Sequence, residues 1–167
     1  MDHEEIFQRI TSRQVKGMMV HSLFADYYDF LGLEGYGKMH KHRFIDESKS
    51  YKRVCHFYTT HFNKLIRESR IDPPDIIPKD WYNYTRQDVD VSTKRSAVKV
   101  GLEQWINWEK ETKELYESLC KETTDTLTHD LLCRLAKDVS KELDNALSYQ
   151  LRKKALDYSI TEIMSEN

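Results

Sequence analysis

Hydrophobic residues recur every three or four positions along most of this chain, the spacing of α-helices that each turn one face to a core. The clearest run lies between Gly35 and Ile66. There Phe44, Ser48, Tyr51, Val54, Tyr58, Phe62 and Leu65 keep the period, no proline interrupts, and no glycine follows Gly37. The pattern predicts a helix over about 38–69. Before it, Ile6, Ile10, Val15, Met18, Ser22 and Ala25 predict a helix over about 6–33, and Gly32, Gly35 and Gly37 let the chain turn. Leu102, Trp105, Glu109, Thr112, Tyr116 and Leu119 predict a third over about 92–123. Leu131, Leu135, Val139, Glu142, Ala146 and Tyr149 predict a fourth over about 127–150, with Thr126 or Thr128 as its N-cap. Residues 151–167 extend that helix or bend into a short fifth one.

The connections set the topology. Short turns join the first helix to the second and the third to the fourth, which makes each pair antiparallel neighbours. Between the second and third lies a long stretch that holds all three prolines, Pro73, Pro74 and Pro78. A connection of that length in a compact domain is functional or crosses from one end of the fold to the other. The expected fold is therefore an all-α four-helix bundle with one long crossover. Trp81, Tyr82 and Tyr84 give the crossover something to pack with, and a helical turn is expected within 85–89.

Composition narrows the class. At 167 residues the chain is long enough for one sizeable core, so 1–167 reads as a single domain. Charged residues make up 32% and the formal net charge is −2, which gives no electrostatic basis for nucleic-acid binding. No apolar run reaches membrane-spanning length, and the N-terminal stretch has no signal-peptide core, so the expected location is cytoplasmic. Cys55, Cys120 and Cys133 form no Cys-x-x-Cys pair and no zinc-knuckle spacing, and read as reduced, helix-borne thiols.

Glutamates then change the picture. Glu47, Glu109 and Glu142 each sit on or beside the apolar stripe of a different helix, and His40 lies one heptad before Glu47. A carboxylate on a buried face is costly unless it is paired or binds a cation. Carboxylate-rich sites suit iron or manganese, and bundles of this connectivity build metal sites from facing helices.

Five segments, in order, resemble the ferritin superfamily: ADYYDF near the end of the first helix, GYGKMHKHRFIDESKSY in the second, RIDPP and IIPKDW in the crossover, GLEQWINWEKE in the third helix, and LLCRLAKDVSKELDNA in the fourth. The resemblance covers most of Met18 to Tyr149. It implies a ferritin-like bundle, iron held as a pair or a single ion, oxidation of Fe(II) by oxygen or peroxide, and a homo-oligomeric shell. It implies Glu47 as a bridging ligand and Glu109 and Glu142 as terminal ones. The pattern departs at Ser50 and Asn145, where histidines are expected, and at Val15, aligned with a terminal glutamate. His40 is the first candidate for a missing ligand, ahead of His21 and Asp26. A looser similarity to DNA-protecting mini-ferritins rests on His21 and Met39-His40. The alternative is a ferritin-like bundle without the iron-oxidising site, serving as a structural or protein-interaction module.

Overall fold

The computed structural model describes residues 1–67, 71–72, 74–83, 85, 89–159 and 163. Four long helices account for most of them: α1 His3–Phe30, α2 Glu34–Phe62, α3 Val91–Glu122 and α4 Thr126–Ala155, with a 3₁₀ turn at Lys79–Asn83 in the crossover. No strand occurs among the described residues. The expected all-α four-helix bundle with one long crossover is the observed architecture.

Helix starts are set by aspartates. Asp2, Asp90 and Asp125 each accept a hydrogen bond from a backbone N–H three residues on, at 2.8 Å, which satisfies a donor the helix cannot pair internally. The cap of α4 is thus Asp125, in place of the expected Thr126 or Thr128. Helix α2 stops at Phe62 because Asn63 takes the left-handed conformation (φ 54°), earlier than the apolar period suggests. Helix α4 runs on to Ala155, where Arg152, Lys153 and Lys154 complement the negative end of its dipole.

Helix α1 pairs with α2 and α3 with α4. Phe7 sits edge-on to Phe62 and His21 stacks near His40, so α1 and α2 run antiparallel. Gly101 is where α1 and α3 approach closely, since a Cβ there would overlap the Tyr28 hydroxyl. The crossover is anchored by Trp81, buried against Tyr27 at 5.5 Å between rings, with Tyr82 edge-on to the same ring at 5.4 Å. Tyr84 and the expected turn at Arg86–Asp88 lie outside the described residues.

Two inward faces differ from the predicted phase. On α1 the buried line is Ile6, Ile10, Gln14, Gly17, His21, Phe24 and Tyr28, while Ser22 is exposed. On α2 it is Tyr36, His40, Val54 and Tyr58, while Phe44 is 39% exposed. Glu47 lies one heptad from both His40 and Val54, so it sits at the centre of that line and not at its edge.

The core consists of two apolar clusters. One holds Val20, Phe24, Tyr28, Leu102 and Trp105 with the crossover's Ile77 and Trp81. The other holds Ile6, Phe7, Ile10, Val54, Tyr58, Tyr116 and the first half of α4. Between them runs a band of polar side chains, and the candidate site is that band.

Candidate metal centre in the bundle

Each helix sends polar groups into the band. Helix α1 supplies Gln14 and His21, α2 His40, Arg43 and Glu47, α3 Glu109, and α4 Glu142. Gly17 on α1 lies against Glu47, and a Cβ there would just touch the Glu47 carboxyl carbon at 3.4 Å. Glu109 is 1% exposed and accepts a hydrogen bond from Trp105 Nε1 at 3.2 Å. Arg43 reaches across α2 to the acids: its Nε lies 3.1 Å from Glu142 Oε2 and its terminal nitrogen 4.0 Å from Glu47 Oε1. The Nε contact is ionic, without hydrogen-bond alignment.

The histidines form a separate pair. His21 Nδ1 and His40 Nδ1 are 2.9 Å apart, and neither ring reaches solvent. The other nitrogen of His21, Nε2, is buried without a hydrogen-bond partner and points at Glu109 Oε1, 3.7 Å away. That distance is too long for a hydrogen bond.

Three glutamates share this band with the Arg43 guanidinium, and Arg13 opposes the charge of Glu47 and Glu109 from farther off. Burial raises all three glutamates. The Glu47 carboxyl is pushed up to about 7, first by burial and then by Glu109, with Arg43 opposing. Glu109 is raised by burial against Arg43 and the Trp105 N–H. Glu142 is raised by burial, again against Arg43. The histidines shift the other way. Burial, with Arg43 adding, lowers His21 to about 3, and burial with His21 itself holds His40 well below its ordinary range. Both rings are neutral at pH 7, so the His21–Glu109 approach is not an ion pair.

A cavity of about 230 Å³ leads to this band from the surface, lined by Arg43, Glu47, Ser50, Tyr116, Val139 and Glu142. It gives a small cation a polar route inward.

The structure therefore brings Glu47, Glu109, Glu142 and His40 into one band. Of the departures from the family pattern, Ser50 accepts a hydrogen bond from Gln14 at 2.9 Å and Asn145 hydrogen-bonds Glu142. Val15 is half-buried beside the inward line, where Gln14 stands. Asp26 is exposed. Two members were missed by periodicity. His21 was ranked behind His40, although Ile10, Gln14, Gly17, His21 and Phe24 keep helical spacing. Arg43 gave only its i,i+4 spacing to Glu47, which reads as an ordinary pair on a solvated helix face. The carboxylates do not draw three ligand atoms within 4.8 Å of one another. Among the described residues that spacing is met by Cys120, His129 and Cys133, at the far end of the bundle.

The backbone as a whole superposes on an iron-soaked glutamate-to-glutamine variant of the ferritin PmFTN, with a TM-score of 0.78. The match covers 97% of this chain and 94% of that one, at 11% sequence identity. The fold is ferritin-like. No protein-family model and no curated protein matches the sequence. No described helix is long and apolar enough to cross a membrane.

Proposed function

We propose that this chain is an iron-handling protein of ferritin type, with Fe(II) as the species bound inside the bundle. The observation that carries the reading is the carboxylate cluster: glutamates from three helices, Glu109 buried and Glu47 and Glu142 partly so, crowd into one band with Arg43 as the guanidinium in contact and Arg13 acting from farther off. A buried carboxylate excess is relieved by protonation or by a cation. His21 Nε2 and Glu109 Oε1 supply a first pair of ligand atoms. Two atoms bound to one ion at about 2.1 Å each lie up to about 4.2 Å apart, so their 3.7 Å separation fits a shared ion. Glu47 adds the third ligand atom, an oxygen, by a side-chain rotation, and Glu142 stays with Arg43. His40 acts through His21, since its Nδ1 sets which tautomer His21 adopts. With Arg43 supplying one positive charge, the band suits a single divalent ion better than two. Oxidation by oxygen or peroxide would remove one electron per iron. Assembly into a homo-oligomeric shell is the corresponding expectation for storage.

Anaerobic Fe(II) titration of the metal-free protein tests this. One ion per chain is expected, lost in Glu109→Ala and weakened at least tenfold in Glu47→Ala. Unchanged binding in both variants, or no binding to the parent, would sink the reading. It would leave a second one, favoured by the Arg43–Glu142 contact: a ferritin-like bundle whose arginine serves as a built-in counter-ion and whose role is structural.

A further inference from the structure

We infer a second metal site, separate from the glutamate band: Cys120, His129 and Cys133 form a Cys₂His site for a zinc-type cation at the α3–α4 turn. Three features carry it. The first is placement. His129 and Cys133 stand four residues apart on α4 and so share a face, and Cys120 comes from the last turn of α3. The tight connection between the helices, held by the Asp125 cap, brings the three together.

The second is distance. Cys120 Sγ and Cys133 Sγ are 3.8 Å apart, and Cys133 Sγ lies 3.7 Å from His129 Nδ1. All three ligand atoms fall within 4.8 Å of one another. In a tetrahedral zinc site with Zn–S of about 2.3 Å and Zn–N of about 2.1 Å, the S–S edge is about 3.8 Å and the S–N edge about 3.6 Å. Two thiolates bound linearly to one ion would stand about 4.6 Å apart by the same bond length, so the observed edge favours a tetrahedral cation. A disulfide would need the sulfurs at about 2.05 Å.

The third is chemistry and access. Two thiols and an imidazole make a soft, nitrogen-and-sulfur donor set, unlike the oxygen-rich band in the bundle. His129 and Cys133 are exposed and Cys120 is half-buried, so an ion enters without opening the core. A fourth position faces solvent, with the Asp130 carboxylate 3.9 Å from His129 Nδ1. Binding replaces the two thiol protons by metal–sulfur bonds and pins the end of α3 to the start of α4, which couples affinity to stability.

The test is Co²⁺ titration of the full-length, reduced, metal-free chain, read by the thiolate-to-cobalt charge-transfer band. That band reports sulfur ligation alone, so ions taken by the glutamate band do not contribute. One sulfur-bound cobalt per chain is expected, displaced by one equivalent of Zn²⁺. Cys120→Ser and Cys133→Ser should each weaken it by about 100-fold, and His129→Ala by about tenfold. Cys55→Ser and Glu109→Ala should leave it unchanged. Absence of the band with all three thiols titrating as free overturns the site, as does a band that survives Cys133→Ser in a chain that retains its helical circular dichroism.

Discussion

His21 and His40 meet Nδ1 to Nδ1 at 2.9 Å in the interior of the bundle. Such a contact needs one donor and one acceptor, so the two rings share a single Nδ1 proton and both stay neutral. The tautomer has consequences. When His21 carries that proton, its Nε2 offers a lone pair toward Glu109, as a ligand atom must. When His40 carries it, His21 Nε2 bears hydrogen instead.

The pair predicts an acid-sensitive fold. His21 titrates near 6.5 when unfolded and near 3 when folded, so the unfolded chain takes up protons first. Its stabilising share is fully present above about pH 6.5 and is lost as pH falls toward 3, at up to about 1.4 kcal/mol per pH unit. Because Glu47 slopes the other way over the same range, the share is read as the difference in urea-unfolding stability between the parent and a chain with both rings replaced by leucine, which should move against the parent from pH 7 to 6 to 5. In the leucine chain no buried nitrogen remains to protonate.

Glu47 predicts the opposite slope. Its folded value of about 7 exceeds the unfolded 4.5, so the folded state holds the proton longer. The Glu47 share of stability therefore falls as pH rises from about 4.5 to 7, against the His21 share. Glu47→Gln removes that penalty, and at pH 8 without added metal it should be more stable than the parent by up to about 3 kcal/mol. The two variants should agree near pH 4.5. A parent chain that gains stability from pH 5 to 8 equally with and without the substitution would contradict the burial of this carboxylate.

The sequence made the architecture legible more readily than the site. Helix number, order and the crossover follow from periodicity and from where the prolines fall. The inward faces did not, because polar and apolar residues are spread too evenly around α1 to mark one face. Val15, Met18 and Met19 compete with Gln14, Gly17 and His21 for the core, and the fold buries the second set. Glu109 was legible because strong apolar neighbours, Trp105 and Tyr116, flank it at helical spacing. Arg43 was not, since its short contact is to Glu142 on α4, whose register against α2 only the fold sets. The thiol–imidazole cluster was hidden for the same reason: its ligands straddle a helix boundary at no familiar spacing.

Arg43→Ala should separate counter-ion from competitor. Removing the guanidinium leaves Glu47 and Glu142 without their cation, at a cost of about 3–5 kcal/mol in metal-free protein at pH 7.5. If the band accepts a divalent ion, Mn²⁺ should restore more stability to this variant than it adds to the parent. Thermal melts with and without Mn²⁺ read both terms. Equal, small manganese effects in the two proteins would count against a cation site.

Gly101→Ala tests the α1–α3 contact. The added methyl would collide with the hydroxyl of Tyr28, a fully buried ring among Phe24, Tyr36 and His40 that has no room to move. The expected loss is about 1–3 kcal/mol in urea unfolding, despite alanine's better helix propensity. Trimming the obstacle with Tyr28→Phe in the same chain should recover part of it.

Asp125 ties the turn of the second hairpin to the end of α2. Its carboxylate accepts from the Thr128 N–H at 2.8 Å and the Thr128 hydroxyl at 2.7 Å, and it faces His61 Nε2 on α2 at 3.0 Å. Hydrogen bonds from Thr128, with His61 adding, hold its pKa down to about 2, below the unfolded 3.8. That stability is present above about pH 3.8 and is lost as pH falls through 2. Asp125→Ala removes cap and tie together and should cost about 1–2 kcal/mol at pH 7. Asp125→Asn keeps an acceptor for the Thr128 N–H but drops the charge beside His61, so it should cost less, and what it does cost should shrink at high salt. Equal losses in the two variants would mean that the charge, and not the cap, fixes α4 against α2.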